Sequence, residues 1–234
     1  MALVITTRHW VLAAGWFTAL LSMLMVSTAH AGVVLGATRV IYPAELKEVT
    51  LPLKNTETSQ TFLVQSVIES ATGDKQPNFV VTPPLFVLKA GGENKLRVFL
   101  KTVVPMPLDR ETLFWMSIKA VPSALKQEGN FVQFAITNRI KLLYRPKGLV
   151  MPDNDIWKKV EVSVREKEVV MANPTPYYMN IASVTLGPLV LENLTLAPFA
   201  TQVVGKTTTA VKQADVVFIN DFGGDSDKIT VPVT

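Results

Sequence analysis

The chain has 234 residues, 48% of them hydrophobic, with 23 Lys and Arg against 19 Asp and Glu and a net charge of +4. It has no cysteine, and its two histidines, His9 and His30, both lie in the first 31 residues; beyond them a Cys/His zinc site, a thiol nucleophile, an imidazole base and a disulfide framework are excluded. A mildly basic balance without a basic run, a Gly-rich phosphate loop or aromatic-basic interleaving points to neither nucleic acid nor nucleotide.

Arg8 precedes an apolar run from Trp10 to Val26, and Ala29-His30-Ala31 then offers small residues where a signal peptidase cuts. This predicts a signal peptide over 1–31 with cleavage after Ala31, and hence export. An uncleaved anchor is the competing reading, since the run is long for a signal peptide and marginal for a span. Removing 31 of 234 residues leaves 203, enough for two domains with real cores. Without disulfides, packing alone must hold them.

From Gly32 onward, short strand-like runs alternate with turn residues and no helical period is sustained, so the chain reads as all-β. In order, the runs are Val33 to Tyr42, Leu46 to Lys54, Thr61 to Glu69, Phe79 to Val81, Leu96 to Leu100 and Leu113 to Val121. Thr61 to Glu69 is apolar on both sides of the pleat, which predicts a central strand. After a polar loop at Ser123 to Gly129 comes one long strand, Asn130 to Pro146. Its Val132, Phe134 and Ile136 share a face and alternate with Gln133 and Thr137. Seven runs in about 115 residues suggest an immunoglobulin-like sandwich.

A Pro-rich polar break around Pro152-Asp153-Asn154-Asp155 predicts a boundary: a first domain over 32–150, a linker over 151–155 and a second, smaller domain over 156–234. The second strand set comprises Val160 to Val164, Glu168 to Ala172, Tyr177 to Val184, Leu189 to Leu191, Asp215 to Asn220 and Ile229 to Val233.

Few residues suggest chemistry. Asp153 with Asp155, and Asp225 with Asp227, lack the further ligands of a calcium loop and read as turns. Asp221-Phe222-Gly223 spells a kinase tripeptide without the other kinase loops, and Asn193-Leu194-Thr195 is a bare glycosylation acceptor; neither is given a role. Neither a cofactor nor a metal is implied, and no paired carboxylates mark a glycosidase.

Arg39 and Lys141, in contrast, each put a cation inside an apolar strand. Either they face solvent, or they converge in a cleft to bind an anion, most plausibly a carboxylate. Lys141 is odd-numbered whereas Val132, Phe134 and Ile136 are even. A bulge near Asn138 or strand twist must reconcile the two sets.

Several segments match a known family: GVVLGATRVIYP at 32–43, TPPLF at 82–86, DRETLFWMSIKAVP at 109–122, NRIKLLYRP at 138–146, NPTPYY at 173–178 and INDFGG at 219–224. On these the chain resembles the periplasmic chaperones of the chaperone-usher pathway for pili, most closely the type 1 fimbrial kind. The resemblance implies two immunoglobulin-like β-sandwich domains in a boomerang arrangement with an interdomain cleft. It implies a non-enzymatic chaperone that binds pilus subunits by donor-strand complementation in the periplasm, assists their folding, prevents premature polymerisation and delivers them to the outer-membrane usher.

By the same resemblance, Arg39 and Lys141 grip a subunit's C-terminal carboxylate, and Val132, Phe134 and Ile136 are donated to it. Glu111, Arg145 and Asp221 form an interdomain charge network. The alternative from another class is a pilus or surface-adhesion structural subunit, which should show an incomplete domain and an N-terminal donor extension.

Overall fold

Alternating burial along nearly every strand dictates the architecture, because each apolar stripe must find a facing sheet. A computed structural model describes residues 32–74, 78–101, 105–123 and 132–234, with Asn154 as backbone only. The expected signal peptide, Asn130, Phe131 and the loop after Ser123 lie outside the described residues.

Two sheets enclose the first core. One has the order β1 (Val33–Leu35), β3 (Glu48–Asn55), β7 (Glu93–Leu100), β5 (Phe79–Thr82). The other runs β2 (Arg39–Pro43), β9 (Ile136–Arg145), β8 (Thr112–Pro122), β4 (Phe62–Ser70), β6 (Leu85–Leu88). Tyr42, Leu51, Leu96, Met116, Ile118 and Leu142 are fully buried between them. The Tyr42 hydroxyl accepts from the Leu100 amide at 3.0 Å, which ties one sheet to the other.

The second core lies between β10 (Glu161–Arg165), β11 (Glu168–Ala172) and β14 (Thr201–Lys206) on one side and the sheet β13 (Leu189–Leu196), β12 (Met179–Leu186), β15 (Gln213–Phe218), β16 (Ile229–Pro232) on the other. Trp157 stacks on Phe218 at its centre, with ring centroids 5.4 Å apart. Both cores fall within one compact unit, Val33–Thr234.

The structure corrects the strand reading in six places. The run expected from Val33 to Tyr42 is two strands in two sheets: it crosses over at Gly36, whose amide donates to Pro52 O at 2.8 Å. A Cβ at Gly36 would stand 2.5 Å from the Pro52 ring, so the crossing needs glycine's missing side chain. Thr61 to Glu69 is not a two-sided strand: β4 buries Phe62, Val64 and Ile68, while Leu63 stays exposed beside the short strand β6.

Strands β6 and β14 escape a pattern search because neither presents an alternating buried face: only Leu88 of β6 is buried, and no residue of β14 is. The Asp153-Asn154-Asp155 break holds one helical turn, α1 (Asn154–Trp157), whose N-cap Asp153 accepts from the Asp155 and Ile156 amides. The sixth correction, to the long strand, bears on the site.

Candidate functional site

In β9 the even residues Leu142 and Tyr144 enter the first core, so Lys141, Leu143 and Arg145 point outward, toward the second sandwich. Strands β2 and β9 are parallel, and Arg39 is the direct register partner of Lys141. Trp115 of β8 is the partner on the other side. Two cations are thus placed side by side on neighbouring strands.

Both are held by the second sandwich. Arg39 is 9% exposed and donates through Nη1 to Ile219 O at 3.3 Å, while its buried Nε has no hydrogen-bond partner. The Lys141 ammonium donates to Asn180 Oδ1 and Thr195 Oγ1. Among the described residues no carboxylate forms a salt bridge with either cation within 4.0 Å, although Asp221 attracts Arg39 at longer range. Burial, with Arg39 adding repulsion, pushes the lysine pKa down to about 8. Burial likewise lowers that of Arg39, against the pull of Asp221.

Four residues further along the same two strands the opposite arrangement appears. Arg145 donates to Glu111 Oε1 from Nε at 2.8 Å and Nη2 at 2.7 Å, and to Asp221 Oδ2 from Nη1 at 2.9 Å. Glu111 accepts a third bond from the Tyr178 amide at 2.8 Å, and Arg145 lies over the Tyr177 ring. Burial alone would lower the arginine's pKa, but the bond to Asp221 and the attraction of both acids raise it. Glu111 and Arg145 come from the first sandwich and Asp221 from the turn after β15, so this network bridges the two.

The turn that carries Asp221 is fixed by Asn220 Oδ1, which accepts from the Phe222 and Gly224 amides. Its Gly223 has φ +86°, and a Cβ there would lie 2.2 Å from Thr38 Oγ1, next to Arg39. That seam has room for a hydrogen only.

The long strand begins at Ile136, not at Asn130, so Val132 and Phe134 precede it. Pro122 supplies the reason. Continued one rung pair past Ala120↔Ile136, the ladder would set Pro122 opposite Phe134, but proline has no N–H to give. Its carbonyl is moreover taken by the Gln133 side chain.

Val132, Phe134 and Ile136 are 79%, 77% and 58% exposed. Register between β8 and β9 is unbroken from Ile136 to Tyr144, so no bulge sits at Asn138 and only twist remains to reconcile the odd and even sets. Because β2 pairs β9 only from Lys141 onward, Ile136 to Ile140 have a strand on one side and, among the described residues, none on the other.

No group of three or more His, Cys, Asp or Glu side chains among the described residues could hold a metal. Asn180 and Thr195 are functional candidates that sequence reading passed over. The signal was there in Asn180, a polar residue between Met179 and Ile181, just as Lys141 stands between Ile140 and Leu142.

Two immunoglobulin-like sandwiches are thus joined by a buried charge network, with a paired cation site between them. The chain belongs to the pilus-assembly chaperones: residues 32–150 match the family described as pili and flagellar-assembly chaperone, PapD N-terminal domain, and residues 155–230 match pili assembly chaperone PapD, C-terminal domain. It is 41% identical to the chaperone protein FimC of Escherichia coli K12 over 212 residues, covering 90% of this chain and 88% of that protein. It is 42% identical to the chaperone protein FocC of Escherichia coli over 205 residues, 86% of this chain and 90% of that one.

Among solved structures, the periplasmic chaperone SfaE is 41% identical with a TM-score of 0.75, covering 87% of this chain and all of that one. The SafB chaperone, solved with the Salmonella enterica SafA pilin, gives 34% and 0.79 over 88% and 98%. These chaperone relatives set aside the reading as a structural subunit.

Proposed function

We propose that the protein captures pilus subunits in the periplasm by donor-strand complementation and passes them to an outer-membrane usher, without catalysis. The observation that carries this is the Arg39–Lys141 pair, two in-register cations to which no carboxylate among the described residues is bonded, at the point where β9 loses its neighbour among those residues. Arg39 and Lys141 hold the subunit's terminal carboxylate. A chain that ends at Lys141 and lies along Val132 to Ile140 must run in the same direction as β9.

Val132, Phe134 and Ile136 then fill the subunit's open groove, contributing about 5–9 kcal/mol before ordering costs. The anchor fixes register, since a slip of one residue would turn the three side chains away from the groove. Glu111, Arg145 and Asp221 set the angle between a first domain over 32–150 and a second over 156–234, joined through 151–155. Residues 1–31 serve as the export signal, cleaved after Ala31.

The test is co-expression with pilins of the same bacterium and periplasmic pull-down by wild type and Lys141→Ala. The folded variant is expected to lose the complex. Undiminished capture would overturn the anchor.

A further inference from the structure

An anchor needs a lysine that is charged and aimed, and the residues placed to do both lie on the second sandwich. Asn180 on β12 and Thr195 on β13 are direct register partners, and Asn180 is 4% exposed. Their side-chain oxygens both accept from Lys141 Nζ. An ammonium has three N–H donors, so two are occupied and one is left for an incoming oxygen. Here Thr195 of the apparent glycosylation triplet finds its use.

We propose that Asn180 and Thr195 are positioning residues of the anchor: uncharged acceptors that fix the Lys141 ammonium beside Arg39 while leaving its charge for a subunit's terminal carboxylate. This rests on the anchor reading of Lys141.

The residue types matter. A carboxylate at position 180 would form an ion pair with Lys141 and compete with the subunit for it. An apolar residue would leave two desolvated N–H groups without partners and favour loss of the proton.

The groups facing the ammonium are Arg39 from β2, Trp115 from β8, and Asn180 and Thr195 from β12 and β13. Of these only Arg39 is charged, and it repels; Asp221, in the turn after β15, acts on Arg39. Burial brings Lys141 down to about 8, and hydrogen bonds to two neutral oxygens favour the charged ammonium over the neutral amine. Since they belong to the second sandwich, the anchor forms only when the two sandwiches are seated against each other.

The experiment uses the full mature chain and two synthetic peptides with the C-terminal sequence of a pilin from the same bacterium, one ending in a free carboxylate and one in an amide. Wild type should prefer the acid peptide. Asn180→Leu should weaken the acid peptide about tenfold near pH 8, and less in mild acid, with the amide peptide unchanged. The pH at which binding falls should move down by about one unit.

Asn180→Asp should weaken the acid peptide at every pH while the Lys141 Nζ resonance titrates higher than in wild type. Thr195→Val should repeat the Asn180→Leu shift in smaller measure, and it decides the matter if Asn180→Leu does not fold. Wild-type pH profiles in folded Asn180→Leu and Thr195→Val overturn the positioning role. Equal binding of acid and amide peptides by wild type would instead overturn the anchor itself.

Discussion

Two cation sites lie four residues apart on the same pair of strands and face the same neighbouring sandwich, yet their surroundings are opposite. Arg145 is clamped by two carboxylates and a tyrosine ring, whereas among the described residues Arg39 and Lys141 hydrogen-bond to neutral oxygens. Burial costs every one of them hydration. Where the chain returns that cost with its own acids, the site fastens the molecule together. Where it does not, the unspent charge is available to another molecule.

The sharpest break of this contrast is Arg145→Ala. It strands Glu111, whose side chain is 1% exposed, and should destabilise the protein by about 3–5 kcal/mol in urea unfolding. Gly223→Ala comes next. Its positive φ and its 2.2 Å approach to Thr38 should cost about 1–3 kcal/mol in the same measurement, and capture should weaken as Arg39 shifts with Thr38.

Tyr177→Phe removes only the hydroxyl bond to Val150 O, 2.9 Å long; a loss of about 1 kcal/mol is expected from thermal unfolding.

The smallest change in stability should come from the uncompensated site. Below about pH 8 Lys141 is protonated in the folded and the unfolded chain, and the fold carries the full cost of burying it. From there up to the ordinary lysine value the unfolded chain binds more protons, so stability rises with pH through that window. Lys141→Met should lack this rise and be at least as stable as wild type near neutrality, while losing the subunit. A marked loss of stability in that variant would place Lys141 with Arg145 as a fastening.

The sequence showed the strands whose apolar residues alternate, and it marked Arg39 and Lys141 as cations inside otherwise apolar strands, where facing solvent is the usual explanation and only the fold brings the two together. It could not show β14, whose side chains are mostly exposed, nor the helical turn at Asn154–Trp157, too short for any period. Grouping Glu111, Arg145 and Asp221 needed the family resemblance, since the positions span more than a hundred residues and no local pattern joins them. Asn180 and Thr195 were missed for a different reason. Neutral polar residues in strands are common, and what sets these two apart is the lysine that reaches them from the other sandwich.

Pro122 carries one more consequence. By ending the β8–β9 ladder at Ile136, it sets Val132, Phe134 and Ile136 apart from one another: Ile136 is held in place by backbone pairing, while Phe134 and Val132 lie beyond the last rung. Under the proposed reading, an arriving subunit meets a rigid first contact beside the anchor and adaptable ones further out. Selectivity would be concentrated at the end beside the anchor and tolerance at the other. Repairing the ladder by exchanging Pro122 for a residue with an amide hydrogen should reduce that tolerance.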